Sequence, residues 1–266
     1  MSWELDFISE ENLTNHIKEY IQKYGDKLKP YNLRKFNSNI VDPVKMLFDK
    51  NVYRMNWEEI IKNEIFRQRD KAGSNDIGYF HQNIFKYIQG CTVPKEGWDV
   101  IYENENGIQM PDGAYVKKIY AEIKNKHNTM NSASGARTYI KMQNQVLHDD
   151  DCACYLVETI AKRSQNVKWT TSIDKKRVEH KLIRRVSMDE FYGIITGDET
   201  SFYKMCMVIP GIIEKVLHTN QEFSLPNDTV FEELTDGYGD DDNSIVLAMY
   251  MLGFESYSGF KEEVEK

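Results

Sequence analysis

Glu122-Ile123-Lys124 sets a carboxylate and an ammonium two residues apart in a segment where apolar and polar residues alternate. On a β-strand, alternate side chains share a face, so the two groups would stand side by side, about 6–7 Å apart. A carboxylate can hold Mg²⁺ through oxygen. A lysine beside it can orient or deprotonate water and stabilise developing negative charge. With a second carboxylate to complete the metal site, these are the parts phosphodiester hydrolysis needs.

The pattern acid-x-Lys is short and occurs three times, at Glu122/Lys124, Asp174/Lys176 and Glu179/Lys181. The last two lie in a densely charged, polar stretch where solvated charge is the simpler account. Two acids compete to be the second ligand of Glu122. A hairpin that pairs Asp99 with Glu122 also pairs Val100 with Ala121 and Tyr102 with Ile119, and leaves Asn106-Gly107 and Asp112-Gly113 as turn signals in its loop. Asp112, after Pro111, precedes Glu122 by ten residues. Fully extended, those would span roughly 33 Å, so Asp112 serves only if the chain reverses, as at Gly113. Asp99 fits more simply; Asp112 is the alternative, and otherwise a turn residue. A further acid, Glu64, sits among Arg67, Gln68, Asp70 and Lys71 at one helix end, as an exposed face or as an additional metal ligand.

After Lys124 comes Asn125-Lys126-His127-Asn128-Thr129-Met130-Asn131, dense in groups that bond phosphates and base edges. The bland account is a polar loop. His127 could be a base, a DNA contact or a loop residue. Arg137, Lys141, Asn144 and the stretch around Arg177, Arg184 and Arg185 are further candidates for reading DNA, since arginine suits guanine edges and lysine suits phosphates. His81-Gln82 lies beside an apolar helical stripe and reads as a structural pair.

The elements that must position these groups follow from periodicity. Up to residue 90 the chain reads as helical: Leu13, Ile17, Tyr20 and Ile21 follow Ser9-Glu10-Glu11, and Asp42-Pro43 opens another helix. Asn56 with Glu59 resembles a capping box for a helix through about Arg69. Ile77, Phe80, Ile84, Phe85 and Ile88 form a further stripe. Strands are expected at 98–102, 116–124, 155–160, 167–171 and 182–186, with a helix over 134–147. Ser187 with Glu190 resembles another capping box. The C-terminal third is mainly helical, with a break at Pro210. The expectation is an α/β fold with one central mixed sheet flanked by helices, in a single domain over 1–266: a helical part to 90, an α/β core over 91–190 and a mainly helical remainder.

Composition sets outer bounds. Over 266 residues, 12% aromatics with 15 Gly and 6 Pro exclude collagen-like, coiled-coil and wholly disordered classes. No apolar run approaches the roughly 18–20 residues a bilayer requires, and the N-terminus lacks the basic, then apolar, order of a signal peptide. Cys91, Cys152, Cys154 and Cys206 show no regular framework and read as reduced thiols, hence a cytoplasmic location; Cys152 and Cys154 look like same-face strand residues rather than a metal pair. The net charge of −8 is unevenly spread. Residues 222–266 hold 12 acids and 2 basic residues, while 162–185 hold nine Lys or Arg against two acids. A second basic segment, 115–148, holds six against one. Such clusters can neutralise phosphates, or be solvated faces.

Three stretches carry a resemblance: Glu64-Ile-Phe-Arg-Gln-Arg-Asp-Lys71 with Ile77-Gly-Tyr-Phe-His-Gln82; Gly97-Trp-Asp-Val100; and Glu122 through Asn131. In these the chain resembles type II restriction endonucleases of the PD-(D/E)xK superfamily, in the group cutting GGNCC and GGWCC sites. The resemblance implies a restriction-endonuclease-like core and a Mg²⁺-dependent enzyme that cuts both strands of double-stranded DNA at a short palindrome, leaving 5′-phosphates. By motif position, Asp99 and Glu122 would ligate metal and Lys124 would serve the attacking water. The insertion between Asp99 and Glu122, with its Pro111-Asp112, keeps the first ligand open. A two-fold symmetric DNA site implies a homodimer. A cognate DNA methyltransferase is the implied functional partner, acting on the same DNA without contact. Repair or recombination nucleases of the same superfamily, and a DNA-binding protein without catalysis, are the rival readings.

Overall fold

The run Cys152–Ile160 is the most deeply buried strand, with every residue from Cys152 to Glu158 out of solvent. That unbroken burial follows from having one face against each of two apolar layers. A computed structural model of the chain describes residues 3–220 and 223–254. In chain order the elements are α1 (Glu10–Asp26), α2 (Leu33–Phe36), α3 (Pro43–Tyr53), α4 (Trp57–Asn83), β1 (Cys91–Thr92), β2 (Val100–Gln109), β3 (Tyr115–Lys126), α5 (Ser132–His148), β4 (Cys152–Ile160), β5 (Asn166–Ile173), β6 (Lys176–Ser187), α6 (Met188–Thr196), α7 (Ser201–Asn220), α8 (Val230–Tyr238) and α9 (Asp242–Phe254). The sheet has six strands in the order β1-β2-β3-β4-β6-β5. The pairs β3/β4 and β4/β6 are parallel and the rest antiparallel, so the expected mixed sheet flanked by helices is what forms.

The chain divides into two compact units, one of residues 1–22 and 75–221, the other of 23–74 and 222–266. In the first, one sheet face buries Ile119, Ala121, Tyr155, Val157 and Val186 against Leu13, Ile17, Phe85, Phe191 and Met205. The other face buries Cys154, Leu156 and Ile183 against Tyr139 and Met142 of α5. Cys152 and Cys154 do lie on one face of β4, both buried. In the second unit, Phe36, Met46, Trp57, Ile61, Val230, Leu234, Ile245 and Met249 form a separate core. The acids of the C-terminal segment that lie within the described residues therefore flank helices that build a core; Glu222 and residues 255–266 lie outside the described residues.

Several local readings differ from the expectation. Asn56 and Glu59 do exchange the reciprocal bonds of a capping box, at 2.9 Å each, but the helix they open runs to Asn83 and takes in Ile77 and Phe80 of the expected next stripe. Ser187 stands at the N-cap of α6, but its side chain makes no capping bond; its hydroxyl accepts instead from the amide of Gln165 at 2.9 Å. Pro210 does not break α7, which runs through it. A proline inside a helix costs about 3 kcal/mol. Burying Met205, Ile212 and Val216 on one face of α7 gains roughly 1.5–3 kcal/mol each, which outweighs it. Asn106-Gly107 is not the hairpin turn: β2 continues through it with a register irregularity between Glu103 and Ile108. The chain reverses at Pro111-Asp112-Gly113, where Gly113 has φ +85° and donates its amide to Met110 at 2.9 Å. No helix among the described residues is long and apolar enough to cross a membrane.

Candidate active site

The β2/β3 register pairs Val100 with Ala121, Ile101 with Tyr120 and Tyr102 with Ile119. Carried one residue further, it sets Asp99 opposite Glu122, on the face of β3 shared by Tyr120 and Lys124. Asp99 is held there twice: its amide donates to the Ala121 carbonyl at 3.1 Å, and its carboxylate accepts from the Ile123 amide at 2.7 Å. Gln82 of α4 adds a side-chain bond to the Asp99 carbonyl at 3.4 Å.

Glu122 and Lys124 share the face as their spacing predicts, with Nζ of Lys124 3.4 Å from Oε2 of Glu122. Both are partly buried, at 13% and 29% side-chain exposure, so the pair is sheltered yet reachable. Lys141, from α5, pairs with the other oxygen of Glu122 and donates to the Gly97 carbonyl. Its ammonium also lies 4.0 Å from the centroid of the Trp98 ring. Burial pushes the Asp99 carboxyl above its ordinary value, opposed by the Ile123 amide; the charge of Glu122 adds to the rise, while Lys124 and Lys141 oppose it. Asp99, Glu122, Lys124 and Lys141 are thus one electrostatic cluster.

The remaining candidates make contacts of their own. Asp112 is in the turn at the far end of the β2–β3 hairpin, accepting from the Ala114 amide at 3.3 Å. The strand from Tyr115 to Glu122 on β3 separates it from Glu122 by roughly 23 Å. Glu64 belongs to the second unit, where its carboxylate accepts from Arg67 at 2.6 Å and Gln68 at 3.0 Å. Burial raises it, but those two bonds, with the charges of Arg67 and Lys45, more than offset this and hold it below its ordinary value. Lys126, Asn128, Asn131 and Arg137 are exposed, with Asn131 also capping α5 through the Ser134 amide at 2.9 Å. Asn125 is half-buried, its side-chain oxygen without a hydrogen-bond partner. His127 is pinned by its backbone, its amide donating to Ile160 at 3.1 Å and its carbonyl accepting from Arg185 at 2.9 Å. Arg177 and Asn144 are exposed. Arg184 is buried on Asn166, and Arg185 is paired with Glu158.

Sequence reasoning missed Glu158 and the role of Gln82. Glu158 pairs in register with Lys124 across the parallel β3/β4 ladder, on the face that carries the candidate acids. Its side chain is 2% exposed and is gripped by Arg185 and Gln165. One signal was available: an acid ending the apolar run Cys152–Val157, in phase with Cys152, Cys154 and Leu156.

Two carboxylates give an oxygen-only donor set suited to a hard cation. Among the described residues no three His, Cys, Asp or Glu side chains converge as a closed metal cage. Mg²⁺ commonly takes one or two carboxylates and keeps water or phosphate oxygens in its other positions.

The model of the family described as Eco47II restriction endonuclease matches residues 5–218. The chain is 29% identical over 225 residues to the type II restriction enzyme Sau96I of Staphylococcus aureus, covering 82% of each. It is 28% identical over 240 residues to the type II restriction enzyme Eco47II of Escherichia coli, covering 85% of this chain and 95% of that one.

Proposed function

Because the chain belongs to the Eco47II restriction endonuclease family and is therefore a DNA-binding type II restriction endonuclease, we propose that it hydrolyses both strands of double-stranded DNA at a short palindrome of the GGNCC or GGWCC type, with Mg²⁺ held by Asp99 and Glu122. The observation that carries the assignment of residues is the hairpin register that sets Asp99 against Glu122, with Lys124 one step along the same face.

Bound between those acids, Mg²⁺ would supply Lewis-acid polarisation of the scissile phosphate. The chain's own part is positional and electrostatic. The Ile123 amide and Gln82 fix Asp99, and the strand fixes the spacing of Glu122 and Lys124. The Lys124 ammonium orients a water for in-line attack on phosphorus and balances the charge that grows there. The new bond is P–O from water; the bond to the 3′ oxygen breaks, leaving a 5′-phosphate and a 3′-hydroxyl. The exposed Lys126, Asn128, Asn131 and Arg137, with His127 and Asn125 behind them, line the way in for DNA. Both units serve one nuclease over residues 1–266, as the family match across parts of each supports. Two copies act on the two strands of the symmetric site, and a methyltransferase protects the same site in the host.

Plasmid digestion tests this reading. With Mg²⁺ the wild type is expected to give discrete fragments whose sequenced ends carry 5′-phosphates at one palindrome; with EDTA, or with Lys124→Ala, cleavage is lost while DNA binding persists. Diffuse degradation would instead indicate a repair-type nuclease. Binding without cleavage across several divalent metals would indicate a DNA-binding protein only.

A further inference from the structure

Lys141 occupies an unusual position. It starts on α5, and its ammonium ends where a carboxylate oxygen of Glu122, the carbonyl of Gly97 and the π-face of Trp98 all point. A carboxylate, a carbonyl dipole and an indole face each attract positive charge. Together they make a cation site, and the cation in it is a side chain. Lys124 sits on the opposite oxygen of the same carboxylate. The four charges of Asp99, Glu122, Lys124 and Lys141 cancel, so the cluster is neutral without a metal.

We infer that Lys141 is a built-in counter-ion that neutralises Glu122 in the metal-free protein and is displaced by the divalent cation. The inference rests on the reading of Asp99 and Glu122 as metal ligands. Both oxygens of Glu122 face an ammonium, so a metal reaching Glu122 displaces one of them; Lys124 is held on the strand for the attacking water, which leaves Lys141 as the one to move. The lysine stem is long and flexible, and with 37% of the side chain exposed it can swing outward. Once displaced, the ammonium is free to meet a DNA phosphate. Lys141 therefore sets the metal affinity of the empty site and lowers the cost of keeping two acids together before metal arrives.

The test uses the full chain without DNA at pH 7.5, with Mn²⁺ as probe and unbound Mn²⁺ followed by electron paramagnetic resonance. Wild type, Glu122→Gln, Lys141→Met and Lys141→Gln are compared, with circular dichroism to verify folding. Removing one positive charge a few ångströms from a divalent ion is expected to tighten Mn²⁺ binding about tenfold in both Lys141 variants. Tryptophan emission is expected to change on Mn²⁺ addition in the wild type as the ammonium leaves Trp98. That change is expected to vanish in Lys141→Met and in Trp98→Phe. Unchanged or weaker Mn²⁺ binding in the Lys141 variants, with a site that Glu122→Gln still abolishes, overturns the counter-ion role alone. Mn²⁺ binding indifferent to Glu122→Gln would instead overturn the assignment of the metal ligands themselves.

Discussion

The carboxylate of Asp99 accepts a 2.7 Å hydrogen bond from the amide of Ile123, the residue between Glu122 and Lys124. One candidate ligand is thus tied to the backbone that carries the other. The amide stabilises the carboxylate, burial disfavours it, and burial dominates, so Asp99 ionises less readily than in an unfolded chain.

The sign of that shift gives a prediction. A carboxyl raised on folding binds its proton more tightly in the native state, so its ionisation at neutral pH costs stability. Asp99→Asn keeps an acceptor for Ile123 and removes the charge. It is expected to raise the melting temperature in EDTA while lowering Mg²⁺-dependent cleavage by ~10³-fold or more, the scale of losing a preorganised electrostatic group. Asp112→Ala, in the distant turn, is expected to change cleavage by less than about threefold. Equal losses at both positions would reopen the choice of ligand.

Arg185 and the buried Glu158 form an ion pair beside the site, and Arg185 also holds the His127 carbonyl. Arg185→Met leaves a carboxylate that is 2% exposed without its partner. The expected loss in denaturant unfolding is roughly 3–5 kcal/mol. Adding Glu158→Leu should recover most of it, because two apolar groups need no solvation. A loss no larger in the single variant than in the double would show that the pair is not coupled.

Burial holds the His81 imidazole down at about 4, with His16 adding to the effect. The unfolded chain protonates this residue near its ordinary value, so it binds more protons than the folded chain between about 6.5 and about 4. Stability should therefore fall as pH drops through that window. His81→Phe is expected to flatten the decline in thermal melts. A decline of the same steepness in the variant would assign it to other groups.

Lys126 and Arg137 are exposed near the candidate site. If they meet phosphates, removing each should lower the slope of log affinity against log salt by about 0.9. The double alanine variant, assayed for binding with Ca²⁺ in place of Mg²⁺, is expected to bind all duplexes more weakly and more uniformly. An unchanged salt slope would place these side chains off the DNA.

The sequence by itself determined the local geometry at the heart of the site. Alternation with period two placed Ile119, Ala121 and Ile123 on one face and Tyr120, Glu122 and Lys124 on the other, and a side chain cannot change face without a slip in register. The same constraint made the pairing of Val100 with Ala121 and of Tyr102 with Ile119 legible before any coordinates. Capping at Asn56 was equally local. Turn chemistry was ambiguous, since Asn106-Gly107 suits a hairpin turn as well as the irregular stretch it occupies. Only the tertiary structure decided which distant groups surround the two acids. Lys141 is 19 residues from Glu122, and Arg185 is 27 from Glu158. No periodicity links such pairs. They meet because α5 packs its Tyr139 and Met142 on one sheet face, and because β6 lies parallel to β4. Apolar burial chose those placements, and the charges arrived with the elements that carry them.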